Sequence, residues 1–544
     1  MRYIEVQSGI NKISHWANRN GFRFSYRKTK ALHFCNKHVC QESTHTLNGH
    51  VLENVSTYKF LGVILDKKLN FKGHITDVKK SCTKRLNVIK CLSNLTWGSH
   101  RDSLTNVHQA LVLSKLFYCC EIYFPAASKT LIGNLNSVYN AGYRFSSGAF
   151  RTSPISSLLA ESGVPTMTAA LERQVAKSTI RLHATPSAPG FSDLLHWEHR
   201  RDTKSFYSFG GNLIHNLIQD TNIESRVCES QPPWFFNETL VNTYLTTVNY
   251  KEQSTSDIIN IFNRVVNQIH PNPQMIYCDG SGKDELKGFA VVTEHDLVFS
   301  CRCHPSASVF ELEAMAIKKS LEFIADCCIT GEKWIVASDS LSAIEAVKNL
   351  RNNSSLVCKI RSLLIELKGS AILLWVPGHK GIPGNEKADF EAKNTLEIPI
   401  VVCKDLTLKS MLNIVNREFN NRMENWFNSE VSGFIKKVIS SPSRPKIHPS
   451  LIRKECSIIS RLRIGHSRLT QSYKMTRTPP PICPFCNLNE TLSIEHLLTN
   501  CPHLENQRRN FFKNQSALKF LDYSEKGSKL IIEFLTKIDI VNEV

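Results

Sequence analysis

From Gln274 to about Leu396 short apolar runs alternate with stretches of helical period, and few folds accept that order. "QMIYCDGS" is a short apolar run that ends at Asp279. "LKGFAVVT" and "DLVFSCRC" read as two strands across a polar turn containing His295 and Asp296. "VFELEAMAIKKSLEFIADCC" has helical period, "KWIVASDS" is a strand and "LSAIEAVKNL" a helix. "AILLWVP" is again a strand, and "GNEKADFEAKNTL" a helix. The order β-β-β-α-β-α-β-α predicts an α/β fold: a mixed sheet with helices on both faces. Sheets of this kind hold ligands beyond the carboxyl ends of their strands.

Four carboxylates are placed to use those ends. Asp279 and Asp339 each follow an apolar strand. Either aspartate alone is also an ordinary turn or cap residue. The helix from Phe310 offers Glu311 and Glu313. From Glu313 the i+3, i+4 and i+7 positions are Ala316, Ile317 and Ser320, an apolar stripe that faces a sheet. From Glu311 the face runs into Lys318 and Glu322. Glu313 is therefore expected to point to the strand ends and Glu311 toward water. In "WVPGHKGIPGNEKAD" the chain leaves a strand at Trp375, turns through glycines and places Asp389 in the first turn or so of a helix. Like charges so close raise one another's pKa unless cations neutralise them. Hard divalent ions with oxygen ligands, Mg²⁺ above all, do so. Two such ions about 4 Å apart suit an in-line phosphoryl displacement. His379, in the loop before Asp389, is a candidate proton shuttle.

"CDGS", "FELEAMAI", "SDS" and "WVPGHKGIPGNEKAD" together resemble the ribonuclease H domain of Jockey-like non-LTR retrotransposon polyproteins over roughly residues 273–397. The resemblance implies an endoribonuclease that cuts the RNA strand of RNA–DNA hybrids. It implies two Mg²⁺ ions, replaceable by Mn²⁺, on Asp279, Glu313, Asp339 and Asp389, with His379 as the mobile histidine. Cys278 departs from the threonine usual in such domains, a change expected to affect packing more than metal binding. A catalytically inactive, nucleic-acid-binding remnant is the alternative.

"GFRFSYRKTKALHF", "YKFLGVILDKKLNFKGHI" and "AFRTSPISSLLAESGVP" resemble the end of the reverse transcriptase domain of the same elements. The chain contains no Asp-Asp dipeptide, so no polymerase activity is expected. Arg23, Arg27, Lys28 and Lys30 interleave with Phe22, Phe24, Tyr26 and Phe34, which on a strand would put the bases on one face toward a phosphate backbone. Near the other end, Cys483, Cys486, His496 and Cys501 have the spacing C-x2-C-x9-H-x4-C of a closed Zn²⁺ site, with His503 a rival fourth ligand. The same segment recurs at the end of such polyproteins. Nine Lys and Arg between 444 and 477, against Glu455 alone, read as a phosphate-binding arm or a solvated linker.

The segments expected are a reverse-transcriptase remnant (1–125), a helical connection (126–268), the ribonuclease H domain (269–398), a helical basic linker (399–475) and a zinc-knuckle-like tail (476–544). The 67 Lys and Arg against 48 Asp and Glu give a formal charge of +19, which suits a polyanionic partner. The most apolar run, "ALVLSKLFYCCEIYFPAA", is broken by Lys115 and Glu121, whereas a spanning helix needs about 20 mostly uncharged residues. "MRYIEVQSGINKISHW" lacks the apolar core of a secretory signal, and the 18 cysteines are scattered. The expectation is an intracellular protein of nucleus or cytoplasm, not secreted, with free thiols outside one metal site and no membrane partner. Protein partners are not legible.

Overall fold

The computed structural model describes residues 2–36, 44–199, 204–219, 221–224, 233–250, 253–327 and 332–544. It packs as two compact units. One comprises Met1–Val175, Lys204–Phe206 and Phe419–Val544, the other Ala176–Thr203 and Tyr207–Glu418. The amino-terminal and carboxy-terminal sequence segments thus share one unit. Among the described residues no helix is long and apolar enough to cross a membrane.

The second unit contains the sheet. Strands β1 (Gln274–Lys283), β2 (Leu286–Thr293) and β3 (Leu297–Cys303) form an antiparallel meander. β4 (Trp334–Ser338) lies parallel to β1 on its other side, followed by β5 (Ala371–Trp375). A two-residue strand, Val241–Asn242, pairs with β5 and makes six strands in all. The helices are α1 (Val309–Cys327), α2 (Leu341–Lys348), α3 (Ser355–Glu366) and α4 (Pro383–Asn394). The sequence order is recovered with one addition, α3, which buries Leu356, Val357, Ile360 and Leu364.

Alternation along β1 decides what each face touches. Met275 and Tyr277 join Ile335, Ala337 and Leu374 in a cluster with Phe262 and Val265 of helix Thr255–Ile269 and Ala388 of α4. Ile276, Cys278 and Gly280 therefore face the other way, where Gly280 abuts Leu312 and Glu313 of α1. Helices cover both faces.

The first unit is largely helical. Helices Lys72–Leu92, Arg101–His108 and Lys129–Ser147 share a core through Ile75, Leu86, Leu104, Leu135, Tyr139 and Tyr143. "YKFLGVILD" is a hairpin, Thr57–Phe60 with Val63–Asp66, because Leu61 and Gly62 both take positive φ and reverse the chain. The basic-aromatic stretch is no continuous strand: residues 22–25 are irregular, 26–28 a turn, and Lys30–Ala31 alone pairs, with Glu53–Asn54. Phe22 packs on Trp16 and Tyr26 stacks on His50, so the aromatic residues spend their alternation on local contacts.

Within the basic block at 444–477 the exposed residues are Arg444, Lys446, Lys454, Arg468, Lys474 and Arg477, and the correction concerns its helix. Helix Arg453–Ile464 is core, not an arm. Arg453 donates to the Phe145 and Ser146 carbonyls, Arg461 to those of Gly148 and Val544, and Arg444 pairs with Asp102. Arg463 and Arg101 flank Glu161 at 2.7 and 2.8 Å, and the Tyr523 hydroxyl donates to the same carboxylate. Glu161 is fully buried. Burial alone would raise its pKa; Arg463 and Arg101 overcome that and hold it below the usual value.

Candidate active site and metal centres

Asp279 is the sixth residue of β1, not its end, because β2 carries the pairing on to Lys283. The end that matters belongs to β4. Its pairing with β1 stops at Ala337 opposite Tyr277. Asp339, two residues on, thus leaves the sheet in register with Asp279, and neighbouring strands are about 4.8 Å apart. Trp375 donates its indole N–H to the Asp339 carbonyl at 3.0 Å and steadies that exit.

Glu313 arrives from α1, and Gly280 is what lets it. A Cβ at 280 would stand 2.7 Å from the Glu313 backbone nitrogen, so any side chain would force the helix off the sheet. Carboxylate oxygens of Asp279, Glu313 and Asp339 come within 4.8 Å of one another. Asp279 and Glu313 are buried, and among the described residues Glu313 Oε2 has no hydrogen-bond partner. Burial first, then the charges of Asp339 and Asp389, push Asp279 up to about 7. Burial, then Asp279 and Asp339, push Glu313 up to about 9. Asp339 is raised as well, by burial above all, against the opposing pull of the Asn385 amide and His379. An all-oxygen donor set with an orphaned buried carboxylate oxygen fits a hard divalent cation such as Mg²⁺ or Mn²⁺.

Asp389 stands apart from this trio. It is the seventh residue of α4, in the second turn rather than the first, and accepts from Lys393 at 2.6 Å. It groups with His379 and Glu386, with His379 Nδ1 3.8 Å from its Oδ2. Its charge still acts on Asp279 and Asp339. His379 is exposed and takes a positive φ of 52° in the loop.

Glu311 corrects the sequence reading. It does not lean to water but is buried at 2% exposure. It caps α1 by accepting from the Ser308 N–H at 2.7 Å and hydroxyl at 2.8 Å. It also accepts from the Thr407 N–H at 3.0 Å and from the Thr407 and Ser410 hydroxyls. All these bonds turn it away from the trio. Sequence reasoning also missed Asn385, which donates to Asp339 at 3.4 Å, and Glu386, which accepts from the Gly381 N–H at 3.1 Å. Both lie inside the Trp375–Asp389 stretch, whose crowding of polar residues was the available signal. Cys278 is buried, its thiol donating to the Ala337 carbonyl at 3.7 Å.

The first unit brings together Cys483, Cys486, His496 and Cys501, all four ligand atoms within 4.8 Å. Cys483 Sγ is 3.9 Å from Cys501 Sγ, and Cys486 Sγ 3.4 Å from His496 Nε2. Glu490 Oε2 lies 2.7 Å from His496 Nδ1. His503, the rival, is exposed and outside the group. Three thiols and an imidazole fit Zn²⁺. The tail packs onto the rest of its unit. Cys483, Ile494, Leu497 and Cys501 share one apolar cluster with Ile459 and Leu462 of helix Arg453–Ile464 and with Phe534.

Residues 271–397 match the RNase H family model. The chain is 34% identical over 82 residues to the "RNA-directed DNA polymerase from mobile element jockey" of Drosophila funebris. Over 132 residues it is 25% identical to the protein of the same name from Drosophila melanogaster. The stretches span 15% and 23% of this chain and only 9% and 14% of those relatives. Residues 271–397 are thus an RNase H domain, carried in a chain similar to the RNA-directed DNA polymerases of the mobile element jockey.

Proposed function

We propose that this chain is an endoribonuclease that cleaves the RNA strand of RNA–DNA hybrids. The observation that carries the reading is the meeting of Asp279, Glu313 and Asp339, with Glu313 Oε2 buried and unpartnered, in an RNase H domain. These three, with Asp389 on a neighbouring helix turn, would hold two Mg²⁺ ions, for which Mn²⁺ can substitute. When bound, such a pair of ions supplies charge stabilisation to the attacking and leaving oxygens of an in-line displacement. Trp375 and Asn385 keep Asp339 aimed at Asp279. His379, exposed beside Asp389, carries a proton to or from the leaving oxygen. Recognition rests on the hybrid's backbone shape and the RNA 2′-hydroxyls. The Cys/His group of the tail, with no open ligand position, is a structural Zn²⁺ site.

Incubating the purified chain with labelled hybrid, with and without Mg²⁺, tests this. Metal-dependent cutting of the RNA strand alone supports it. Hybrid binding without cutting in either Mg²⁺ or Mn²⁺ would favour the inactive remnant, a reading helped by the capture of Asp389 by Lys393. The same preparation is expected to extend no primer, since the chain has no Asp-Asp pair.

A further inference from the structure

A second group of thiols lies inside the RNase H unit, away from the carboxylates. Cys301 and Cys303 are two residues apart on β3 and share one face of it. The segment 402–404 runs along the outer edge of that strand. The Val402 and Cys403 N–H groups donate to the Arg302 carbonyl at 2.9 and 3.0 Å, and the His304 N–H to the Cys403 carbonyl at 3.0 Å. Cys403 bridges Cys303 in parallel. The three sulfurs fall within 4.8 Å of one another, and none is in a disulfide. Cys301 and Cys303 are 2% and 1% exposed, while Cys403 is partly open.

This spacing is that of a ligand set. With metal–sulfur bonds of about 2.3 Å, tetrahedral geometry places thiolates about 3.8 Å apart. The trio's separations, none above 4.8 Å, fall in that range without rearrangement. Residues i and i+2 of a strand are about 6.6 Å apart at Cα, close to the upper limit for a disulfide, so Cys301 and Cys303 are ill suited to bridge each other. We infer that Cys301, Cys303 and Cys403 form a binding site for a thiophilic d10 cation, Zn²⁺ first, with a fourth position open to water on the Cys403 side. Soft thiolates and the hard carboxylates of the candidate active site would sort their metals without competition. The bound ion would pin the segment after α4 to the edge of β3.

Zinc stoichiometry of the full-length chain, reduced, saturated with Zn²⁺ and desalted, tests the site. The double variant Cys483→Ser/Cys486→Ser removes the tail's contribution and is expected to retain one zinc. Adding Cys403→Ser should take that to none, whereas adding Cys327→Ser, an exposed cysteine outside the trio, should leave it at one. With Co²⁺ in place of Zn²⁺, the double variant should show thiolate-to-cobalt charge-transfer absorption that Cys301→Ser abolishes. A folded double variant with no metal overturns the inference, and so does zinc that survives Cys403→Ser. Where a serine variant fails to fold by circular dichroism, alkylation of the double variant followed by mass spectrometry decides. Zn²⁺ should protect Cys403, the partly open member of the trio; equal labelling of Cys403 with and without Zn²⁺ overturns the site.

Discussion

Glu311 and Glu313 stand two residues apart on α1, both buried, and do different work. Glu313 has an oxygen with no partner, while Glu311 accepts from Ser308, Thr407 and Ser410. Glu313→Gln is expected to abolish cleavage without lowering the melting temperature. Glu311→Gln should leave kcat within a few-fold but cost about 1–3 kcal/mol of stability, since its buried donors lose a charged acceptor. Paired kinetic and thermal measurements check both. The carboxylates also set a pH dependence. Asp279 and Glu313 titrate in the fold near 7 and 9, above their ordinary 3.8 and 4.5. A raised carboxyl stabilises the fold below its unfolded pKa, and that contribution fades as pH climbs through the folded value. The metal-free chain should therefore lose thermal stability between about pH 4 and 9, and Mg²⁺ should restore most of it at the alkaline end. A flat metal-free profile would show that the trio is not coupled. The stripe of Ala316 and Ile317 made Glu313 legible in sequence. Glu311 was misread because its partners at 407–410 lie far along the chain, although Ser308-x-x-Glu311 is a capping-box signature that marked it as a cap.

At the level of elements, the site is assembled by the end of β4, the close approach of α1 to β1 and the loop into α4. Gly280 sets the second of these. Gly280→Ala is expected to cost about 1–3 kcal/mol through overpacking. By moving Glu313 about 1 Å it should also slow cleavage on the order of 100-fold. Calorimetry and hybrid cleavage read the two effects separately; an unchanged rate would mean that α1 can move without carrying Glu313 from the trio. Strands and helices between 274 and 397 were legible because period 2 and period 3.6 alternate cleanly there. The stretch from Phe22 to Phe34 was not, because alternating aromatic and basic residues give the same pattern whether they meet a sheet or local partners such as Trp16 and His50. The α3 helix was passed over because it follows α2 with no strand between to announce it.

For the whole molecule, long-range pairing decided what sequence could not. The 444–477 block reads as a solvent-facing basic run, yet Arg453, Arg461 and Arg463 serve the interior of the first unit. Charge counted along the chain does not show which arginines have buried acceptors. Glu161→Gln is expected to cost about 3–5 kcal/mol, because Arg101 and Arg463 would keep their charges in a buried site without the counterion. A urea midpoint measures it, and a loss under about 1 kcal/mol would mean water reaches the pair. Since Glu161 is held below its usual pKa, its contribution is present at neutral pH and lost toward acid, opposite in sign to the carboxylate trio.

The bonds that reach back from residues 402–410 to β3 and Glu311 bear on how the RNase H domain can be dissected. A fragment cut at 398, where sequence resemblance fades, would bare the outer edge of β3 as a row of unsatisfied amides and carbonyls, a template for pairing with other chains. It would also leave the Glu311 carboxylate without Thr407 and Ser410. Residues 207–398 should therefore self-associate on a sizing column, whereas residues 207–418 should run as a monomer and melt higher. If both fragments behave alike, the strip at 402–404 is decoration; if they differ, the working boundary of the RNase H domain lies some twenty residues beyond the motifs that reveal it.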